Sequence, residues 1–394
     1  MNKKFDAIIV GGGPAGGTAA YFLSQAGMRV LVLEKETLPR YKACGGGISA
    51  RVLEQFPFSF DSVIESKVNS ISYVLGKHNV TFPLPNQSIC MVMRDKFDSY
   101  LLEHAQAEIR QGVAARAVEE KEDGVIVETA EGERIEGDYL IAADGANSLT
   151  ARSLGLRPKK LMAGAIEVEA SVPAHVFTRF ADKPMFIFGE VKTGYLWIFP
   201  KSDHLSVGIG ALNPGPGALQ STLERVMARF DISIEGQPRK GHPLPVYDHR
   251  EPINTPRAFL VGDAAGLVDP FSGEGIRFAI KSGRLAAEAI LSGHPERYAV
   301  SVDRKIGRNH RLAVTMTNIF YNHPRSSFQL GVRNPFVTRV LVDMLADQVG
   351  YGRVLAHIFG TLPLFLLTET AAGLSGLVGG RKAAEKVRES VYSI

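Results

Sequence analysis

A cluster of glycines near the amino terminus has the spacing of a phosphate-binding turn. Gly11, Gly13 and Gly16 form a G-x-G-x-x-G pattern, and Ala15 lies within it. The apolar run Phe5–Val10 precedes the pattern and a helix-compatible segment follows it, as a dinucleotide-binding unit requires. The glycines allow a tight turn and a close backbone approach, while free N–H groups at the start of the helix attract phosphate.

An acidic residue at the end of the next predicted strand completes this unit. Glu34 follows Gly11 by 23 positions, and its carboxylate can accept hydrogen bonds from the hydroxyls of an adenosine ribose. We therefore predict that Gly11, Gly13, Ala15, Gly16 and Glu34 bind a dinucleotide. The pattern alone does not distinguish FAD from NAD.

Aromatic residues alternate along a later segment, at Tyr195, Trp197 and Phe199. On a strand they project to one face. There they either pack into a core or form the wall of an apolar tunnel. The spacing alone does not decide between these two roles.

Later motifs resemble those of flavoproteins of the glutathione-reductase and hydroxylase types. Gly262-Asp263, after an apolar run, resembles their second flavin motif, in which the Asp binds a ribityl hydroxyl. Gly273, Gly275 and Ile276 then open a helix whose amino terminus would stabilise an anionic reduced flavin. Asp144-Gly145 resembles the middle motif of the same class. The three motifs occur in the expected order, which implies FAD as the cofactor.

The same resemblance implies two further cofactor contacts. Arg94, followed by Phe97 and Asp98, is typical of the class and is expected near the flavin. Alternatively, Arg94 is an ordinary arginine at the start of a helix, paired with Asp98. We also include Val118, in the segment 114–143, among the predicted cofactor-binding residues.

Two segments are similar to the geranylgeranyl reductase family. One is the loop Cys44-Gly45-Gly46-Gly47, and the other is Y-x-W-x-F-P at 195–200, followed by G-x-G at 208–210. The similarity extends over roughly residues 5–290. It implies hydrogenation of isolated double bonds in a polyprenyl chain on a lipid, a chlorophyll precursor or a quinone. Tyr195, Trp197 and Phe199 would then contact the substrate, and Cys44, Gly45 and Gly47 would contact the flavin.

Such a reaction needs reduced flavin above one alkene carbon and a proton donor near the other, because an isolated alkene is a poor hydride acceptor. We predict catalytic roles for Cys44 and Tyr195, with His204 as a further candidate proton donor. The sequence does not decide among them. The electron donor is open between NADPH and a reduced ferredoxin, which would be a protein partner.

The main alternative is a flavin-dependent monooxygenase or halogenase. The halogenase pattern W-x-W-x-I-P is comparable to residues 195–200, but Tyr195 and Phe199 replace its first Trp and its Ile. Aromatic hydroxylases usually carry a His where this chain has Gly266. A flavin-binding lipid carrier without catalysis is a third interpretation.

Composition narrows the class of partner. The chain has 394 residues and a net charge of +4 without a basic block, so we expect no nucleic-acid partner. We predict no metal site. Cys44 and Cys90 are the only cysteines, which suits a reducing, cytoplasmic location.

An apolar segment near the carboxyl terminus, residues 354–368, bears on membrane contact. It contains Gly360 and Pro363 and is shorter than the roughly 20 residues that a spanning helix takes. We therefore expect no transmembrane helix. The segment and the basic residues Arg381, Lys382, Lys386 and Arg388 would instead rest on an anionic membrane surface; alternatively, the segment caps the core.

Positioning these motifs requires an α/β fold, with a Rossmann-type FAD-binding domain, an inserted and mainly antiparallel β-sheet substrate domain, and a helical C-terminal region. We predict residues 1–70, 94–158 and 251–292 for the first, 71–93 and 159–250 for the second, and 293–394 for the third. Three strands are expected within 114–143, and helices over Asp95 to Arg110 and from about Gly275 to Leu291.

Overall fold

A computed structural model describes residues 4–157 and 159–392; the predicted boundary at residue 158 and the chain ends lie outside this range. Its strands are β1 (Phe5–Val10), β2 (Val30–Glu34), β3 (Gly47–Ser49), β4 (Ile64–Val68), β5 (Ser70–Leu75), β6 (His78–Pro83), β7 (Ile89–Val92), β8 (Glu108–Gln111), β9 (Ala115–Lys121), β10 (Gly124–Thr129), β11 (Arg134–Ala142), β12 (Leu161–Ala170), β13 (Met185–Phe188), β14 (Gly194–Pro200), β15 (Leu205–Leu212), β16 (Lys240–Val246) and β17 (Ala258–Leu260). Its helices are α1 (Pro14–Gln25), α2 (Arg94–Glu103), α3 (Leu149–Ser153), α4 (Ala174–Phe177), α5 (Ala218–Ala228), α6 (Ile276–Leu291), α7 (Tyr298–Val302), α8 (Arg308–Asn322), α9 (Pro324–Ser327), α10 (Pro335–Leu345) and α11 (Tyr351–Tyr392).

The nucleotide-binding motifs lie on a seven-stranded sheet with the order β8-β2-β1-β11-β10-β9, in which β17 also pairs with β11. Strand β1 runs parallel to both β2 and β11. Helices α1 and α6 pack against each other beside the sheet, and almost every residue of β1 and β2 is buried. Continuous apolar runs are what a parallel sheet covered on both faces requires. The predicted α/β fold is confirmed.

The inserted region forms a second seven-stranded sheet, ordered β16-β12-β15-β14-β13-β5-β6. All its pairs are antiparallel except β13 with β5. Helix α5, which the sequence did not predict, buries Leu223, Val226 and Met227 against one face of this sheet. The opposite face carries the aromatic residues of β14 and looks toward the first sheet.

Two local predictions need correction. The helix predicted over Asp95 to Arg110 ends at Glu103, and Glu108–Gln111 instead forms β8, parallel to β2. Pairing with β8 satisfies backbone groups of β2 that would otherwise be exposed, and this outweighs local helix propensity. Residues 89–92, which we grouped with the inserted sheet, pair with β3 and β4 in a separate three-stranded sheet.

The carboxyl-terminal region is helical, as predicted. Neither Gly360 nor Pro363 ends α11, which continues to Gly380, where φ is +71° and ψ is −171°. Beyond Gly380 the chain folds back along α11, so that the side chains of Arg388 and Tyr392 donate hydrogen bonds to the carboxylate of Glu369. By length and composition α11 could span a membrane; its most apolar window has a mean hydropathy of 1.4 and is only 17% buried.

Candidate functional site

A cavity of about 240 Å³ lies between the glycine turn after β1 and the aromatic face of the second sheet. It contacts three motif-bearing segments, namely the turn before α1, the loop before β3 and the start of α6. The predicted residues that line it are Gly13, Ala15, Cys44, Gly45, Gly47, Arg94, Tyr195, Trp197, Phe199, Asp263, Gly273, Gly275 and Ile276. The fold therefore brings the candidate cofactor and substrate residues to one place.

The glycine turn has the backbone geometry that its sequence predicts. Gly11 has φ +104°, and a Cβ there would lie 2.3 Å from the carbonyl oxygen of Ala143. A Cβ at Gly16 would lie 1.9 Å from the carbonyl oxygen of Gly11, so only glycine lets α1 pack against this turn. A Cβ at Gly13 would meet only the guanidinium groups of Arg40 and Arg94, at ordinary contact distance, so this backbone at the start of α1 is flanked by the positive charge that a pyrophosphate requires.

Glu34 anchors the glycine turn from β2. It is 4% exposed, and its Oε2 accepts a hydrogen bond of 2.7 Å from the amide of Gly12. Its Oε1 accepts one of 3.0 Å from the amide of Glu36. Each carboxylate oxygen has a second lone pair, so the predicted contact with ribose hydroxyls is compatible with both bonds.

Two arginines place positive charge beside the same turn. Arg94 forms a two-pronged pair with Asp98, with Nε and Nη2 each 2.8 Å from a carboxylate oxygen. Arg40 Nη2 lies 3.1 Å from the same carboxylate. Both guanidiniums would be 3.8 Å from a Cβ at Gly13. Arg94 thus makes the helix-start ion pair and also lines the cavity, where its charge suits a phosphate-bearing cofactor.

The second flavin motif meets the aromatic strand at the start of α6. The helix begins at Ile276 and ends at Leu291, as predicted. Tyr195 donates a hydrogen bond from its hydroxyl to the carbonyl oxygen of Ser272, beside Gly273. Burial raises the pKa of Tyr195 well above its usual value.

Two other residues that we predicted to bind the cofactor, Gly262 and Val118, are not among those that line the cavity. Gly262 ends the extended segment after β17 and lies against Ala15 of α1 and Ala279 of α6. Val118 packs its side chain in the core beside β1 and β2, and it is not among the residues that line the cavity. Its predicted contact with the cofactor stays a prediction.

Trp197 occupies space that two glycines leave open. In the register of β14 and β15, Trp197 lies opposite Gly208, and Tyr195 lies opposite Gly210. A Cβ at Gly208 would lie 2.1 Å from Cζ2 of the indole. The G-x-G pattern therefore lets the indole lie flat across β15. Its Nε1 is buried without a hydrogen-bond partner among the described residues.

The loop that carries Cys44 packs on the same wall. A Cβ at Gly45 would lie about 3.0 Å from the ring of Phe199 and from Nε1 of Trp197. The buried ammonium group of Lys201 donates hydrogen bonds to the carbonyl oxygens of Gly45 and Val92, at 2.8 and 2.9 Å. These bonds fasten the loop, so the half-buried thiol of Cys44 is held at the cavity wall.

A second cavity of about 350 Å³ adjoins the first. Its lining is almost wholly apolar and comes from β13 and from helices α8, α10 and α11. Tyr195, Phe186 and Phe271 line both cavities. The two cavities are therefore neighbours on either side of these rings.

Sequence reasoning missed several titratable residues that line the first cavity, among them Lys42, Glu167 and His242. Burial lowers the pKa of Lys42. Burial, followed by the charge of Lys42, lowers the pKa of His242 to about 4, so this imidazole is neutral at pH 7. For Glu167, the available signal in the sequence was its alternation with Ala163 and Ala165 along β12, because alternate residues of a strand share one face.

Comparison with known proteins agrees with this geometry. The family model described as an FAD binding domain matches residues 4–292. The chain is 30% identical to a chloroplastic geranylgeranyl diphosphate reductase of Oryza sativa subsp. japonica, over 86% of this chain and 81% of that protein. It is 28% identical to a menaquinone reductase of Mycolicibacterium smegmatis, over 74% and 78% of the two chains.

Solved structures show the same fold. A geranylgeranyl bacteriochlorophyll reductase-like protein of Thermoplasma acidophilum matches with a TM-score of 0.76 and 24% identity, over 91% of this chain and 98% of that one. A flavin-dependent brominase matches with a TM-score of 0.68 and 18% identity, over 87% and 94%. The cavity, the flavin motifs and these relatives agree, and the chain is an FAD-dependent oxidoreductase that belongs to the geranylgeranyl reductase family.

Proposed function

We propose that the protein reduces carbon–carbon double bonds in a polyprenyl chain. The observation that carries the proposal is the pair of adjoining cavities with mainly apolar walls, which share Tyr195, Phe186 and Phe271 in their lining. A polyprenyl chain has almost no polar groups, so burial against such walls supplies most of its binding energy. Two relatives whose names specify geranylgeranyl diphosphate and menaquinone reduction support a prenyl substrate.

FAD, when bound, supplies the hydride, and the protein supplies binding, orientation and a proton. We infer that the glycine turn and Arg94 hold the phosphates, that Glu34 holds the ribose, and that Asp263 and the start of α6 hold the flavin end. Gly45 and Gly47, which line the cavity, would also contact the cofactor, whereas for Gly262 and Val118 the proposed cofactor contact rests on the sequence alone. Tyr195, Trp197 and Phe199 place the alkene, and Cys44 lies at the same wall.

We also propose that the substrate reaches the second cavity from a lipid bilayer. Helix α11 lines that cavity with Leu355, Ile358 and Leu362. Farther along, it exposes Leu374, Leu377 and Val378 by 62, 85 and 94%. The exposed basic residues Arg381 and Lys382 follow at once. An apolar tip flanked by positive charge suits an anionic lipid surface.

The test is anaerobic incubation of the FAD-loaded protein with dithionite and a panel of geranylgeranyl compounds. The panel contains a diphosphate, a glycerolipid and a quinone, so that the head group is identified as well. Mass spectrometry should show products heavier by successive pairs of hydrogens. A hydroxylated or halogenated product that forms only with oxygen would instead support the alternative class, and no change in any substrate would overturn the proposal.

A further inference from the structure

Each double bond that is reduced consumes a proton as well as a hydride. This proton must arrive at a cavity wall that is mostly aromatic and apolar. Tyr195 is a poor source, because its hydroxyl already donates to the carbonyl oxygen of Ser272 and its pKa is raised by burial. His204 is not among the residues that line the cavity.

Glu167 places a carboxyl group on the same face of the second sheet as Trp197. In the sheet register Trp197 lies opposite Gly208, which in turn lies opposite Glu167. Because Gly208 has no side chain, only glycine separates the indole from the carboxyl-bearing strand. Glu167 is 2% exposed and lines the cavity.

The two carboxyl oxygens of Glu167 are in different situations. Its Oε1 accepts a hydrogen bond of 2.8 Å from the hydroxyl of Ser206. Its Oε2 is buried and meets no hydrogen-bond donor among residues 4–157 and 159–392, and its carboxyl group lies beside that of Glu169, so the two can share one proton. Native proteins seldom leave a buried polar oxygen without a partner, so this atom needs an explanation.

A line of titratable side chains connects Glu167 to the surface. Glu169 lies two residues farther along β12 and therefore on the same face. Its Oε2 is 3.1 Å from Nε2 of His204, and Nδ1 of His204 is 2.6 Å from Oδ1 of Asp203. The side chains of His204 and Asp203 are 19 and 83% exposed.

The charges along this line favour a proton at the buried end. Burial, followed by the charge of Glu169, raises the pKa of Glu167 to about 8. The hydrogen bond to Glu169 raises the pKa of His204. Burial would raise the pKa of Glu169, but the bond from His204 keeps it below its usual value. The other titratable groups that face the pair are Lys201, Tyr41, Cys44 and, in register on β16, Lys240.

We propose that Glu167 donates the proton in alkene reduction and that Glu169 and His204 resupply it from solvent. The alkene carbon that does not accept the hydride takes the proton: the carboxyl O–H bond breaks, a C–H bond forms, and a carboxylate remains. A proton passes from His204 through Glu169 to that carboxylate, and His204 takes another from water. The inference rests on the proposed function, since it assigns the donor for that reaction.

The main test compares Glu167→Gln with the wild type in single turnovers of dithionite-reduced, FAD-loaded protein with a geranylgeranyl compound. Glutamine keeps the shape and the acceptor for Ser206 but has no acidic proton. We expect unchanged FAD content and an alkene reduction rate about 10²–10⁴-fold lower, the usual contribution of a general acid. The matched control Glu190→Gln, in a surface pair with Arg225 and Arg229, should keep the wild-type rate.

The pH profile separates a proton donor from a merely structural carboxyl. The wild-type rate should fall as pH rises through the pKa of Glu167, since only the protonated form donates, and the Glu167→Gln profile should be flat there. Ser206→Ala provides a second route if the first variant folds poorly. It removes a hydrogen bond that favours the ionised form, so the alkaline limb should move to higher pH.

The resupply of the proton to Glu167 is tested separately, by comparing the rate of the first turnover with the rates of later ones. Glu169→Gln should slow the second and later turnovers more than the first, because the carboxylate of Glu167 is no longer reprotonated through Glu169. A Glu167→Gln rate within about twofold of wild type, or the same pH dependence, would overturn the inference and leave the proposed function standing. No alkene reduction by the wild type would overturn both.

Discussion

Glu34, whose carboxylate anchors the glycine turn, is the single side chain whose role is simplest to test. Glu34→Arg removes the acceptor for the ribose and for the amide of Gly12, and it places a second positive charge near Arg40. A charged hydrogen bond contributes about 1.5–3 kcal/mol, so FAD affinity should fall roughly tenfold to a hundredfold. Equilibrium titration of the apoprotein with FAD measures this. The exposed Glu36→Arg is the control, and equal affinities for both variants would contradict the assignment.

Trp197 tests whether the aromatic face is a substrate wall. Trp197→Ala should leave FAD binding intact, because the dinucleotide motifs lie on other elements. Turnover per flavin should fall on the order of a hundredfold, since a displacement of about 1 Å can cost that much. The distribution of partly reduced products should change too.

The neighbouring Leu196 supplies a matched control for that variant. Leu196 lies on the same strand but is fully buried in the core of the opposite face. Leu196→Ala should lower stability by about 2–5 kcal/mol and leave turnover per flavin unchanged. If Trp197→Ala likewise lowers the melting temperature and leaves turnover per flavin unchanged, Trp197 is a core residue and does not form the substrate wall.

If the second cavity binds the distal prenyl units, helix α11 limits the length of chain that the site accommodates. Ile358 lines the second cavity, and Ile358→Trp would fill part of it. Reduction of a geranylgeranyl compound should fall by at least about tenfold, or 1.4 kcal/mol, while reduction of a geranyl compound is unchanged. Leu366→Trp, at an exposed position of the same helix, is the control. Equal losses with both chain lengths would show that the second cavity does not bind the distal prenyl units.

How far the sequence predicts this fold depends on the range of the interactions involved. Strand β1 and helix α6 match their predictions because glycines and continuous apolar runs are local signals. Strand β8 was missed because its conformation follows from pairing with β2, which is distant in sequence. Helix α11 continues through Pro363 although an interior proline removes a backbone hydrogen bond, so the length of this helix could not be predicted from the local sequence.

The residues of the candidate site also divide into those with a local sequence signal and those whose role depends on contacts distant in sequence. Motif residues such as Gly13, Arg94 and Trp197 were predicted and line one cavity. Glu167 was missed because its role depends on the register that brings β12 beside β15. The alternation along β12 indicates only that Glu167 shares a face with Ala163 and Ala165, not which strand or cavity that face meets.

At the scale of the whole molecule, the tip of α11 exposes the apolar side chains of Leu374, Leu377 and Val378. The protein should float with anionic vesicles at low salt and be released as salt is raised, because screening weakens the attraction of Arg381 and Lys382. Leu377→Glu with Val378→Glu should abolish binding and leave reduction of a detergent-dispersed substrate intact. Val300→Glu, at an exposed apolar residue on α7, is the control. Vesicle binding that survives the double substitution would show that the tip of α11 is not the membrane-binding surface.

The central claim is that a polyprenyl double bond takes electrons directly from the reduced flavin of this protein. The most direct measurement is the flavin absorbance of dithionite-free, fully reduced protein mixed with a geranylgeranyl compound under strict anaerobiosis. We predict reoxidation of one flavin for each double bond reduced, and none with the fully saturated analogue. Reduced flavin that stays reduced with every prenyl compound, and is reoxidised only when oxygen is admitted, would contradict the account.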